Sequence, residues 1–536
     1  MADLPWYQNA VFYEVYVRAY YDSNGDGKGD LRGLMQKLAY LKKLGVDCLW
    51  ILPIYPSPLK DDGYDIANFY AIHPDFGTLE DFKALLKAAH EMGLRVITDL
   101  VLNHTSDQHP WFQAGRADAR SPYHDYYVWS ETDQKYAHAR IIFVDTEKSN
   151  WAWDEVAKQY YWHRFYSSQP DLNYDNPAVR AEILNVMRFW LDMGVDGFRA
   201  DAVPYLFERE GTNCENLAET HAYLKELRHF IDTNYPGRVL LCEANQWPKD
   251  VRHYFGEGDE FQLAFNFPLM PRTFMALRQG DYSPIRWAFD QIPSIPPGCQ
   301  WCTFLRNHDE LTLEMVTPEE REWMWREYAP DKHMRLNLGI RRRLAPLLDN
   351  NIQKIELANA IVFSLPGTPI IYYGDEIGMG DNLALPDRNG VRTPMQWNAS
   401  RAAGFSLAQQ TYTPVIADTP YSPAEVNVET EMQDPASLWS TLQKMIRIRK
   451  ERPVFEASEL TWVEAHSKAL LAYWRYGDKD RLLCINNLSD LSVEMHLPVE
   501  TAVQELTDQL SGRVFPIRDG WLNTTLHGYE YLWLSE

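Results

Sequence analysis

From residue 11 onward the chain alternates short runs of β-branched and aromatic residues with amphipathic stretches of helical period, and most of eight such units can be traced. That alternation restricts the chain to βα units around a parallel sheet, because a strand can pair again in the same direction only after a crossover, usually a helix. Strands are predicted at 11–17, 47–52, 95–101, 197–200, 239–242, 262–265, 302–305 and 370–373, with helices between them such as 31–44 and 79–92. The second of these helices opens on a capping box, in which Thr78 accepts from an amide of the first turn and Asp81 reaches back. Asn176-Pro177 opens a later helix with a capping side chain and a residue preorganised for the first helical position. The fold class is α/β, a (β/α)8 TIM barrel.

Three regions interrupt the alternation. The connection at 103–175 is too long for an ordinary βα loop and is rich in Trp, Tyr and His, so it reads as an inserted domain after strand 3 that walls a cleft at the carboxyl ends of the strands. Segment 310–349 is helical and charged, and its run Glu319-Glu320-Arg321-Glu322 reads as a solvated helix face. Segment 379–437, with Pro386-Asp387-Arg388-Asn389-Gly390, reads as a long active-site loop. Past residue 450, short alternating runs such as 467–476 and 482–487 predict a C-terminal antiparallel β-sandwich domain. The expected division is 1–104 with 175–450 for the barrel, 105–174 for the insertion and 451–536 for the β domain.

Composition removes several function classes. A net charge of −23 leaves no basic footprint for nucleic acid. No apolar run approaches the roughly 20 residues of a membrane span, and the start lacks a basic flank and an apolar core, so a cytoplasmic protein is expected. Six cysteines in 536 residues do not make a disulfide scaffold, and the lone pair Cys299 and Cys302 reads as two structural thiols. The 19 Trp, 31 Tyr and 22 Phe suffice for a large core, and any surplus could stack on sugar rings.

Three carboxylates stand at predicted strand ends: Asp201 in Gly197-Phe198-Arg199-Ala200-Asp201, Glu243 in Leu241-Cys242-Glu243-Ala244-Asn245, and Asp309 in Asn307-His308-Asp309. Breaking an acetal between sugars requires one group to protonate the leaving oxygen and a carboxylate to meet the oxocarbenium charge. Barrel enzymes draw their catalytic groups from the ends of several strands, so the placement and the chemistry agree. Arg199, two residues before Asp201, points to the same side and should hold that carboxylate ionised. Glu243 must give and retake a proton, so burial should raise its pKa toward neutrality.

The blocks Asp99 to His104, Gly197 to Asp201, Glu243, and Asn307 to Asp309, in this order, resemble the α-amylase family of glycoside hydrolases and transglycosylases across essentially the whole chain. The resemblance implies Asp201 as nucleophile, Glu243 as general acid/base and Asp309 as transition-state stabiliser. It further implies that Tyr64 stacks on the sugar being cleaved, that Asp62 grips the nonreducing end, and that His104, Arg199, His308 and Arg392 contact substrate. The finer blocks Asp61 to Ile66, Trp162 to Tyr174, Glu243 to Pro248 and Leu305 to Leu311 resemble the disaccharide-isomerising branch, whose members interconvert maltose and trehalose. An α-glucosidase or oligo-1,6-glucosidase shares every acid of this set and remains the alternative, because the same groups hydrolyse or transfer according to how well water is excluded. A catalytically dead barrel acting as a binding subunit is disfavoured by the intact acids. A homo-oligomer is compatible with the sequence.

Asp22-Ser23-Asn24-Gly25-Asp26-Gly27-Lys28-Gly29-Asp30 carries oxygen ligands at alternating positions with glycines for a tight turn, as a calcium loop requires, Lys28 giving only its carbonyl. It departs from an EF-hand at position twelve, which is Gly33, and no helix precedes it, so it reads as a structural calcium loop, with an acidic turn without metal as the alternative. The family resemblance implies a second site of Asn103, Asp171, the carbonyls of Tyr205 and Leu206, and Glu208. Structural calcium and no organic cofactor are the expectation, with a small disaccharide as the partner.

Overall fold

Eight parallel strands close into a barrel in the computed structural model, which describes residues 5–456, 459–477, 480–499 and 503–536. They are β1 (Phe12–Val15), β2 (Cys48–Ile51), β3 (Arg95–Val101), β4 (Gly197–Asp201), β5 (Val239–Cys242), β6 (Leu263–Phe265), β7 (Gln300–Phe304) and β8 (Thr368–Tyr372). Each pairs with its sequence neighbours, and β8 closes on β1. Nearly every strand residue is buried, as expected where helices cover one face and packed side chains fill the other. The expected β1 runs too long by sequence pattern: Val17 opens a short helix, and the strand stops at Val15.

Helices α1 (Leu31–Leu44), α2 (Leu79–Glu91) and α3 (Pro177–Met193) start where the sequence places their caps. Thr78 and Asp81 form the capping box, and the Asn176 side chain accepts from Ala178. Gly45 ends α1 at φ 105°, the left-handed conformation glycine adopts without penalty.

The insertion carries a helix, Pro110–Ala117, and a three-stranded antiparallel sheet of Trp129–Ser130, Gln159–Trp162 and Trp151–Asp154, the second of these in the middle. A bridge between His104 and Asp171 ties its end to its beginning at the mouth of β3. Segment 310–349 is only partly helical: besides Pro318–Tyr328 it folds a small sheet from Leu311–Thr312, Arg335–Leu336 and Gly339–Ile340. Its acidic run is not merely a solvated face, since Glu320 completes a capping box with Thr317 and pairs with buried Arg272 at 3.4 Å.

The C-terminal strands form one eight-stranded antiparallel sheet. Val514–Arg518 pairs with Glu505–Asp508 through its first half and with Trp521–Leu526 through its second, so the sheet turns there. Strands from both ends then enclose one apolar core that includes Leu483, Ile485, Leu497, Leu522 and Leu532. The expected sandwich is thus a single sheet folded over itself. Among the described residues no helix is long and apolar enough to cross a membrane. All six cysteines are buried free thiols.

Candidate active site

Parallel register sets the centre of the site. Asp99 on β3 lies beside Arg199 on β4, and Val101 beside Asp201, so the ends of two strands present acid, base and acid together. Arg199 is fully buried and serves three carboxylates rather than one. Its Nη1 pairs with Asp99 and, at 2.5 Å, with Asp201 Oδ1, while its Nη2 reaches Glu243 Oε1 at 2.6 Å. Two carboxylates on the terminal nitrogens of one guanidinium are held close to each other. Ala202, directly after Asp201, takes a left-handed conformation (φ 54°) and donates its amide to Glu243 Oε2 at 3.1 Å. Such backbone outliers persist where surrounding structure enforces them.

Burial pushes the Asp201 carboxyl up to about 6, against the pull of Arg199, so the arginine limits that rise without holding the acid at its ordinary value. Burial pushes Glu243 further, to about 8, with the charges of Asp201 and Asp309 adding to it and Arg199 opposing it. Glu243 thus holds its proton to higher pH than Asp201, a division of labour set by environment. For Asp309 burial opposes ionisation, but His308, Arg388, Arg392 and Arg199 outweigh it and hold the carboxyl well below the usual range. Arg388 Nε and Arg392 Nη2 each stand 3.0 Å from Asp309 Oδ1, and His308 Nε2 stands 3.1 Å from Oδ2.

The cleft over these acids is lined by Tyr64, His104, Asp201, Glu243, His308 and Asp309 among others. Tyr64 does not offer two free faces: its ring lies parallel to that of His308 at 5.2 Å. His104 is kept neutral by burial, its pKa lowered to about 3, and its Nε2 bonds no protein atom. Arg199 lies beneath the carboxylates. Asp62 and Arg392 pair with each other at 2.7 Å beside the cleft, and Asp61 rather than Asp62 lines it.

Ile142, Phe143 and Phe165 of the insertion and Tyr205 after β4 form an apolar wall. Segment 310–349 meets that wall through polar bridges: Arg140 to Glu314 at 3.0 Å, and the Asn337 amide to Asp145 at 2.7 Å. Arg388 stacks on Phe143 and also pairs with Glu310. Arg388, Arg140 and Glu314 were not singled out by sequence pattern, because their partners lie in other segments. Glu14 carried a signal, as the lone acid within an otherwise apolar strand.

Both expected metal sites can be tested for fit. None of the ion pairs among the described residues involves Asp22, Asp26 or Asp30, since Lys28 turns away to Asp75 at 2.8 Å. Three carboxylates without cationic partners, with Asn24 and a carbonyl, are the all-oxygen type a hard cation takes, but the Asp22 oxygens already accept from the amides of Asn24, Gly25 and Gly27 and from Ser406 Oγ. Asp30 is engaged first as the cap of α1: its oxygens accept from Ser23 and Gly33, leaving a single lone-pair direction. At the second site Asn103 Oδ1, Asp171 Oδ2 and Glu208 Oε1 are buried and accept no hydrogen bond, and the turn bearing Tyr205 and Leu206 leads to Glu208. Orphaned buried oxygens of this kind fit a cation. Among the described residues, no three His, Cys, Asp or Glu side chains cluster as metal ligands, so either site would depend on amide and carbonyl oxygens as well.

The profile described as "Alpha amylase, catalytic domain" matches residues 14–458, and that described as "Maltogenic Amylase, C-terminal domain" matches 460–533. The chain is 54% identical to Trehalose synthase/amylase TreS of Mycobacterium tuberculosis, over 100% of this chain and 91% of that one. It is 54% identical to Trehalose synthase of Pimelobacter sp., over 98% and 95%. The crystal structure of the trehalulose synthase MutB from Pseudomonas mesoacidophila superposes with a TM-score of 0.80 at 27% identity, over 99% of each chain. With the barrel, the three strand-end acids and these matches in agreement, the chain belongs to the alpha-amylase family.

Proposed function

We propose that the protein interconverts maltose and trehalose by intramolecular transglucosylation, with some hydrolysis to glucose. The observation that carries this reading is the pairing of Asp201 and Glu243 on the two terminal nitrogens of one guanidinium, in a chain matched at full length by relatives bearing the name trehalose synthase.

Asp201 attacks the anomeric carbon of the nonreducing glucosyl unit as the bond to the glycosidic oxygen breaks, and Glu243 gives its proton to that oxygen. Free glucose and a glucosyl ester of Asp201 result. Asp309, held by Arg388 and Arg392, meets the oxocarbenium charge, and His104 contacts a sugar hydroxyl, while both ring nitrogens of His308 are taken by Glu14 and Asp309. Glucose then turns over inside the cleft. Its anomeric hydroxyl attacks the same carbon, the ester bond to Asp201 breaks, and Glu243 takes up the proton. Two inversions leave an α bond, and carboxylates held close together are what the retaining course requires. The apolar wall and the Arg140–Glu314 bridge support retention of glucose over attack by water.

Maltose incubated with excess 13C-glucose should give mainly unlabelled trehalose. Full incorporation of label would replace the intramolecular course by transfer to glucose from solution. Glu314→Gln removes that bridge, worth up to about 1 kcal/mol, and leaves Arg140 paired with Glu215, so the ratio of released glucose to trehalose should rise by up to about fivefold. An unchanged ratio would remove the bridge from the account of water exclusion.

Calcium belongs to this proposal as a structural ion. The 22–30 loop with Asp22, Asn24, Asp26, Lys28 and Asp30, and the set of Asn103, Asp171, Tyr205, Leu206 and Glu208, would hold it and supply rigidity, not chemistry. Stripping divalent ions with EDTA should lower Tm by several degrees, and calcium should restore it. Invariance of Tm would count against both sites. The three-part division at 1–104 with 175–450, 105–174 and 451–536 is likewise proposed, supported by the insertion's own sheet and the C-terminal sheet's own core.

A further inference from the structure

Glu14 is an acid to which the proposed mechanism gives no task. It lies on β1, the strand that supplies none of the three acids, and is fully buried. Its Oε1 lies 2.5 Å from His308 Nδ1 and also accepts the His308 backbone amide at 3.2 Å. On the far side of the imidazole, Nε2 faces Asp309 Oδ2 at 3.1 Å. The ring cannot swing away, with Tyr64 parallel at 5.2 Å and the edge of Trp50 at 5.8 Å. Glu14, His308 and Asp309 thus form one buried chain from β1 to the site. Arg199 on β4, Asp99 on β3, Arg388 and Arg392 from the loop after β8, and Tyr372 on β8 are the other charged or titratable groups facing it.

Asp309 is ionised, so a hydrogen bond from His308 requires the proton on Nε2. A neutral imidazole then has a bare Nδ1, and that atom needs a donor. Glu14 can be the donor only as a carboxylic acid, and burial raises its pKa well above the carboxylate range. Burial likewise lowers that of His308, which keeps the ring neutral.

We propose that Glu14 is a positioning residue for glucosyl transfer: it donates a hydrogen bond to His308 Nδ1, fixes the ring proton at Nε2, and so holds Asp309 where it meets the developing charge. This rests on the role proposed above for Asp309. Without the donor, the ring can take the other tautomer, its Nε2 lone pair then opposing the Asp309 carboxylate and raising the pH at which that acid ionises.

The test compares wild type, Glu14→Gln and Glu14→Met on maltose, with kcat and KM read separately and circular dichroism and Tm as checks on folding. Wild-type turnover to trehalose tests the function itself, independently of either variant. Glu14→Met, of similar length but without a donor, should lose about 10²-fold in kcat with KM little changed, as when one preorganised donor is removed. Glu14→Gln keeps a donor to Nδ1 but cannot also accept the His308 amide on that atom, so it should recover part of that loss. Folded Glu14→Met with wild-type kcat would overturn the proposal, as would Glu14→Gln impaired to the same degree as Glu14→Met. If Glu14→Met does not fold, 15N-histidine NMR of wild type and Glu14→Gln decides. The proposal requires the His308 proton on Nε2 in both, with a changed Nδ1 shift in the Gln variant, and a proton on Nδ1 overturns it.

Discussion

Asp201→Asn should lower turnover of maltose by about 10⁵-fold or more, the scale on which loss of a covalent nucleophile acts. An amide cannot form the glucosyl ester, and no other carboxylate can take its place. Glu243 is tied to Arg199 and to the Ala202 amide, and Asp309 is fixed by two arginines and His308. The variant should still bind disaccharide, because Asp309 and His104 remain. Calorimetric titration with maltose and steady-state rates separate the two effects. Appreciable trehalose formation by Asp201→Asn would exclude the covalent course.

Glu243→Gln should cost up to about 10⁴-fold, the span of a well-placed general acid and base. The wild-type profile carries the sharper signature. Asp201 must be ionised, so activity should fall as pH drops below about 6; Glu243 must be protonated, so it should fall as pH rises above about 8. The optimum therefore lies near neutrality. With glucosyl fluoride, whose leaving group needs little proton assistance, Glu243→Gln should regain much of the first step and lose the alkaline limb. Retention of that limb would assign it to another group.

The barrel was legible because strands buried on both faces read as apolar runs and helices announce their caps. Leu31–Leu44 and Leu79–Glu91 begin at Asp30 and Thr78 for this reason. The three acids were legible because each stands at or shortly beyond the carboxyl end of a strand. Less legible were contacts made between distant segments. Arg388 reaches Asp309, Glu310 and Asp61, and nothing local in Asp387-Arg388-Asn389 marks it as part of the site. The reach of Arg199 to three carboxylates needed the register of β3 on β4 and the approach of β5. The burial that lifts Asp201 to about 6 is likewise a property of the closed cleft rather than of the strand. Asp30 could be read as a metal ligand from its spacing, whereas its first task, capping α1, depends on the exact start of that helix.

Incubation of the purified protein with maltose, followed by proton NMR of the anomeric region, tests the central claim most directly. Trehalose, maltose and glucose give separate signals. The account predicts trehalose well in excess of free glucose, whereas glucose accumulating without trehalose would contradict it and make the protein a hydrolase.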